Sequence, residues 1–171
     1  MAVALPAAGR LGVTARTMND ADLPFVAALY ASTRFEELAG TGWPDSIRDA
    51  FLEQQHRAQH QHYQAHYPGL EWLILEAGGE AIGRLYVVEW AGEFRVVDIS
   101  LAAPHRGRGI GAALFADLLA AAAALGKNVS IHVEKANPAR RLYERLGFEV
   151  VADKGIYDLL EWHPPGAALS P

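Results

Sequence analysis

The chain has 171 residues, 51% of them hydrophobic and 20% charged, and a formal net charge of -5. Length and balance describe one folded globular domain and exclude a disordered chain, while the acidic surplus argues against a nucleic-acid partner, which selects for a basic face. There is no cysteine, which excludes disulfides and thiolate chemistry and fits a reducing compartment.

Residues 1–10, MAVALPAAGR, have neither the basic start nor the length of a signal peptide and read as a loose tail. The longest apolar run, Ile110 to Leu125, is broken by Asp117 and falls short of the ~20 residues that cross a bilayer. A cytoplasmic soluble protein without membrane contact is expected. Leu11 to Arg16 alternates, with Leu11, Val13 and Ala15 on one face, and predicts a strand. Asn19 or Asp20 caps a helix that buries Leu23, Val26, Ala27 and Tyr30 and ends near Thr33. Arg34 to Pro44 reads as a loop. A second helix runs from Asp45 or Ser46 to about Tyr67, where Pro68-Gly69 stops it.

Three strands follow, Glu71–Ala77, Ala81–Trp90 and Phe94–Ala103, joined at Gly78-Gly79 and Ala91-Gly92. Connections this short make an antiparallel meander. A helix from Gly109 to Leu125, closed by Gly126, leads to a strand over Asn128–Val133. Asn137 caps a further helix with Pro138 at its first position, ending at Gly147. Strands over Phe148–Ala152 and Ile156–Trp162 complete a single domain over residues 11–162, and residues 163–171 read as a second flexible tail. The fold class is α/β: a mixed sheet of about seven strands, with the two strands flanking the Gly109 helix parallel and helices on both faces.

The turn Arg106-Gly107-Arg108-Gly109-Ile110-Gly111 joins a strand to an apolar helix. A helix start with unpaired N–H groups beside arginines is an anion site, most often for phosphate. A Walker A loop is excluded, because no Lys-Ser or Lys-Thr pair follows the last glycine. A dinucleotide fingerprint can be traced through Gly107, Gly109 and Ala112, with Glu134 as the ribose acid. Against it, Pro104-His105-Arg106 separates the strand from the first glycine, and too few βα units follow.

Arg106-x-x-Gly109-x-Gly111, after a strand ending in Ala103-Pro104, resembles the pyrophosphate loop of the GNAT (GCN5-related) N-acetyltransferases. Asn137 to Phe148, NPARRLYERLGF, resembles that family's helix near the thiol end of coenzyme A. The element order from Leu11 to Trp162 is similar to the family's too. The resemblance implies the acyl-CoA N-acyltransferase fold, acetyl-CoA as co-substrate, and acetyl transfer to a primary amine of a small molecule or peptide. It implies that Arg106, Gly107, Arg108, Gly109, Ile110, Gly111 and Ala112 hold the pyrophosphate. Backbone groups of Leu101 and Ala103 would hold the pantetheine arm, and Asn137 and Arg140 would contact the donor. Asn137 stands six residues before Tyr143, where many members have seven.

Acetyl transfer to an amine needs a neutral amine, a stabilised oxyanion and a proton for the departing thiolate. Tyr143, in Leu142-Tyr143-Glu144-Arg145, stands where the family places its general acid. His132 is the first candidate for the base. A neutral imidazole suits that task, and alternation sends His132 and Ser130 to the face opposite Val129, Ile131 and Val133. Asp98, Glu93 and water are the other candidates. In this fold the first two helices and their loop line the acceptor cleft, and Phe35, Glu36, Glu37 and Trp43 there suit an ammonium-bearing acceptor.

The second helix carries His56/His60 and His62/His66, each pair at the i, i+4 spacing of a chelate. The pairs lie on different sides of the helix, with no cysteine near, so a polar, mostly solvated helix and no metal are expected. Two alternatives stay open. A non-catalytic acyl-CoA sensor could use the histidine-rich helix as an interaction face, and a homodimer could form through the last strand or the second helix.

Overall fold

The computed structural model describes residues 4–166, so the part of the expected second tail from 167 onward lies outside the described residues. The helices are α1 (Pro6–Gly9), α2 (Leu23–Ala39), α3 (Asp45–His66), α4 (Ile110–Ala124) and α5 (Arg140–Arg145). The strands are β1 (Val13–Thr17), β2 (Glu71–Ala77), β3 (Glu80–Glu89), β4 (Glu93–Leu101), β5 (Asn128–Glu134), β6 (Glu149–Lys154) and β7 (Tyr157–Trp162). They form one sheet in the order β1-β2-β3-β4-β5-β7-β6. Every neighbouring pair is antiparallel except β4 and β5, which the α4 crossover makes parallel.

The two faces of the sheet are built differently. On one, Val13, Leu75, Leu85, Phe94, Val96, Val129, Ile131 and Leu160 meet Ile110, Leu114, Phe115, Leu118 and Ala122 of α4 and Tyr143 of α5. The Ile110, Leu114, Leu118, Ala122 spacing is one helix stripe, which fixes α4 on the sheet. On the other face, β3 turns Arg84, Tyr86 and Val88, all buried, toward α2 and α3.

Several boundaries differ from expectation, each for a physical reason. Residues 1–10 are not wholly a loose tail: Pro6–Gly9 make a helical turn whose Ala8 is fully buried. Asp117, which interrupts the apolar run of α4, anchors that turn by accepting from the N–H groups of Ala7 (2.8 Å) and Ala8 (3.0 Å). The expected loop from Arg34 is also corrected, because α2 continues to Ala39. The hydroxyls of Ser32 and Thr33 bond back to the carbonyls of Leu29 and Tyr30, both at 2.7 Å, so this polar pair sits within the helix. The connection to α3 shrinks to residues 40–44, with Gly42 at φ +68°.

β4 stops at Leu101, and Ala103–His105 form a 3-10 turn. Pro138 and Ala139 form a turn before α5 rather than its first residues. β6 extends through Lys154, past the expected turn start at Asp153. The last strand, β7, lies between β5 and β6 and has no free edge for a second subunit. Helix α3 is mostly exposed, as expected, but it buries Leu52 and His56 on one face.

Candidate active site

β4 and β5 share only the rungs from Glu93↔Asn128 to Val96↔Ile131. Beyond them β4 stays paired with β3 through Leu101, while β5 stays paired with β7 through Glu134. The inner edges of two parallel neighbours therefore part. A bulge starts the parting: Tyr86 faces Asp98 and Val87 faces Val96, leaving Val97 as the extra residue. Such a bulge bends and twists its strand. The N–H of Ala102 bonds to the carbonyl of Ile82 at 2.8 Å, so by alternation Ile99 and Leu101 turn their backbone groups toward the gap. Gly83 lets β3 follow this strand closely. A Cβ there would lie 2.4 Å from the Ser100 carbonyl oxygen and 2.8 Å from Cδ2 of Leu101.

The glycine-rich loop closes one end of the gap. Gly107 (φ +67°) and Gly109 (φ +80°) occupy left-handed backbone, and Gly109 is the N-cap of α4 with no side-chain cap. The first helical bond runs from the Ala113 N–H to the Gly109 carbonyl, 3.0 Å, which leaves the N–H groups of Ile110, Gly111 and Ala112 without helical partners. They border a cavity of about 350 Å³ that is also lined by Leu101, His105, Arg106, Gly107, Gly109, Leu142 and Arg145. A start of helix bare of caps, beside two guanidinium groups, is a positive concavity suited to a phosphate.

The expected donor residues separate into two sets. Leu101, Arg106, Gly107, Gly109, Ile110, Gly111 and Ala112 come together around this cavity. Arg106 also folds back, its Nε donating to the Leu101 carbonyl at 2.8 Å, so it braces the strand end as well as charging the loop. Arg108 instead lines a second cavity of about 140 Å³ with Leu11, Val13, Ala77, His105 and Ile110. The Ala103 carbonyl accepts from the Arg106 N–H at 3.2 Å, within the 3-10 turn. Asn137 caps its own turn, its Oδ1 accepting from the Ala139 N–H at 2.9 Å. Arg140 is held by buried Asp158 at 2.7 Å. Three cavity residues carried no expectation from the sequence, His105 in the 3-10 turn and the α5 pair Leu142 and Arg145. The i, i+3 spacing of that pair marks one face of a helix, but which element that face meets is a matter of tertiary structure.

Tyr143 projects from α5 into the α4-side core, 4% exposed, with ring centroids 5.1 Å from Phe115 and 5.8 Å from Phe148. Burial, reinforced by the charge of Asp98, pushes its phenol up to about 12. At neutral pH it is a protonated donor.

Residues 33–148 match the sequence model of the acetyltransferase (GNAT) family. The chain belongs to that family. Solved structures share its fold. The PaiA N-acetyltransferase of Thermoplasma acidophilum, in complex with coenzyme A, aligns at a TM-score of 0.64 with 15% identity, over 88% of this chain and 98% of that one. YncA of Salmonella typhimurium, with acetyl-CoA, aligns at 0.56 with 22% identity, over 92% and 96%. A phosphinothricin acetyltransferase of Sinorhizobium meliloti, in complex with AcCoA, aligns at 0.58 with 21% identity, over 94% and 93%. No curated protein matches the sequence.

Within this GNAT domain the three side chains considered as bases have different freedom. Asp98 accepts from Arg84 Nε (3.1 Å) and a terminal Arg84 nitrogen (2.8 Å), from the Tyr63 hydroxyl (3.1 Å) and from Ser100 Oγ (3.1 Å). Its oxygens are fully engaged. Glu93 is shared between Ser130 and Arg95. His132 is the first β5 residue past the last β4 rung, on the α2/α3 face, and is exposed. Its Nδ1 stands 3.5 Å from a terminal nitrogen of Arg95. Partial desolvation of the ring first, then the charges of Arg95 and Lys154, lowers its pKa. Arg95 can only donate, so in this arrangement Nδ1 is the lone-pair nitrogen and Nε2 carries the proton.

Of the residues expected to receive the acceptor, Phe35, Glu36 and Glu37 ride on the last turns of α2, and Trp43 lies in the short connection. Glu37 pairs with Arg34 at 2.9 Å, Phe35 lies under the Arg48 guanidinium at 4.7 Å, and Trp43 meets Phe51 edge-on at 5.3 Å. Phe35 and Trp43 remain 48% and 42% exposed. Arg34 also reaches Glu134, at 4.0 Å, which ties the end of α2 to the open end of β5. On α3, His56 packs against Tyr30 and His62 stacks on His66. Among the described residues no group of three His, Cys, Asp or Glu side chains is placed to hold a metal ion.

Proposed function

We propose that this chain is an N-acetyltransferase that moves acetyl from acetyl-CoA to a primary amine by direct attack. The observation that carries the reading is the parting of β4 from β5 beside the uncapped start of α4. A strand edge with free amide groups suits a pantetheine arm, and the N–H groups of Ile110 to Ala112 with Arg106 and Arg145 suit a pyrophosphate. Coenzyme A or acetyl-CoA in the three similar structures supports this choice of donor. Phe35, Glu36, Glu37 and Trp43 mark the side from which an amine enters.

The amine nitrogen bonds to the acetyl carbon, the carbon–sulfur bond breaks, and one proton leaves nitrogen while one reaches sulfur. Tyr143 supplies the proton to sulfur and is refilled from solvent. A donor raised to about 12 gives up a proton to a free thiolate only uphill. The same dry surroundings raise the thiol's own pKa and narrow that gap. His132 takes the proton from the amine at Nε2, in the tautomer in which Arg95 releases Nδ1.

The engagement of Asp98 and Glu93 favours a second reading, donor binding without turnover. Thiol release from acetyl-CoA across a panel of amines, with coenzyme A affinity measured by calorimetry, separates the two. Transfer predicts turnover that falls at least about tenfold in Tyr143→Phe with affinity kept. Tight binding without thiol release on any amine selects the sensor, and absence of binding overturns both.

A further inference from the structure

β6 is an outer strand of the sheet, six residues long and without proline, and among the described residues β7 is the element that packs against it. Val150, Val151 and Ile156 beside it are 52%, 48% and 74% exposed. Open strand edges are templates for further pairing. We propose that this edge pairs antiparallel with the same edge of a second copy of the chain, about a two-fold axis at Ala152.

The register of β6 on β7 shows why the strand is self-complementary. Glu149 faces Glu161, Val150 faces Leu160, Ala152 faces Leu159, Asp153 faces Asp158 and Lys154 faces Tyr157, with Val151 as the extra residue of a bulge. Leu160 belongs to the α4-side core, so Val150 and Asp153 lie on that face, and Glu149, Ala152 and Lys154 lie on the other. Residues five apart on a regular strand fall on opposite faces. The bulge at Val151 puts Glu149 and Lys154 on the same one. A two-fold axis normal to the sheet keeps faces in common and, centred on Ala152, sets each Glu149 opposite the second copy's Lys154.

Charge makes the pairing favourable. Within one chain Glu149 faces another carboxylate, Glu161, and like charges on one rung repel. Among the described residues no ion pair within the chain uses Glu149 or Lys154. The second copy's Lys154 supplies the missing cation twice, once in each half of the interface. The small Ala152 on the axis lets the backbones approach.

Sedimentation velocity on the full chain, up to about 100 μM, tests this. Wild type is expected to dimerise, and Lys154→Glu to raise the dissociation constant at least about tenfold by placing carboxylates opposite carboxylates. The exchange Glu149→Lys with Lys154→Glu restores dimers. An equimolar mixture of Glu149→Lys and Lys154→Glu single variants forms heterodimers, because each rung then pairs opposite charges. Circular dichroism checks that each variant is folded. A wild type monomeric throughout overturns the proposal and makes the bulge a guard on the edge. So does a dimer indifferent to both single reversals.

Discussion

The two faces of the sheet solve the same packing problem with opposite materials. Under α4 and α5 the core is aliphatic and aromatic, and its polar exceptions are each matched, Asp117 by the N–H groups of α1 and Asp158 by Arg140. Under α2 and α3 the core is a run of rings and ionisable groups. Tyr30 meets His56, His60 meets Trp72, Trp72 meets Tyr86, and Arg84, 2% exposed, lies across Asp98, Gln59 and Tyr86. An apolar core is stabilised by area alone and tolerates a change of pH. A polar core is stable only while every donor has its acceptor and every buried base stays neutral. The candidate cleft runs between these materials, with Tyr143 on the apolar side and Asp98 and His132 on the polar side.

Cutting the buried pair is the strongest way to break the contrast. Arg84→Leu leaves Asp98 charged without its cation and is expected to cost about 3–5 kcal/mol. Phe115→Ala on the opposite face is expected to cost a similar amount, about 3–5 kcal/mol, through its cavity. The two differ in repair. Adding Asp98→Leu to Arg84→Leu removes the orphan charge and recovers part of the loss, short of all, because Tyr63, Ser100 and Gln59 lose partners too. No second substitution of a charged residue recovers Phe115→Ala. Urea unfolding of the three variants beside the wild type measures this. A double variant no more stable than Arg84→Leu would remove the distinction between the faces.

Acid sharpens the contrast at smaller amplitude. Burial, with the nearby charge of Arg84, holds His56 down to about 4 from its usual 6.5. The unfolded chain takes up a proton as pH falls through 6.5, and the folded chain does so only near 4. Stability is therefore full above 6.5 and declines down to about 4, at no more than about 1.4 kcal/mol per pH unit for one group. His60, also lowered by burial, adds in the same direction. Asp22, held at about 2 by Arg16, extends the decline below pH 4. His56→Phe is expected to flatten the curve of urea midpoint against pH between 6.5 and 4 without removing all of its slope. An unchanged slope would mean that His56 is protonated in the folded chain.

The division between faces also explains what was legible in the residues. Apolar periodicity and glycine punctuation are local signals. They place all seven strands, the α4 stripe and the loop from Arg106 to Ala112, most of which lines the candidate cavity. Signals that depend on a partner are not local. Asp117 reads as an interruption until α1 is docked on it, and Phe35 to Glu37 read as loop although Ser32 and Thr33 satisfy themselves within the helix. Arg84 and His56 are buried where a charged strand residue and a polar helix predict solvent, because their partners come from other elements. Arg140 and Asn137 carry the right residue types, but Asp158 engages one end of the Arg140 guanidinium and the Ala139 N–H engages Asn137 Oδ1, while Arg145 lines the cavity.

The smallest effect tests the polar edge of the cleft itself. Arg95 donates to Ser130 and Glu93 and stands 3.5 Å from His132 Nδ1. Its charge is one of the causes that lower the His132 pKa, after burial. Arg95→Gln removes that charge while keeping a donor at similar reach. The His132 pKa is then expected to rise toward its usual value without reaching it, since the partial desolvation of the ring and Lys154 remain. Proton NMR titration of the imidazole gives the shift directly, independent of any amine. If His132 takes the amine's proton, the acid limb of the kcat profile moves to higher pH by the same amount, because the neutral ring is then populated only at higher pH. A shifted imidazole with an unmoved limb would leave proton removal to water and keep His132 as a hydrogen-bonding neighbour at the mouth of the cleft.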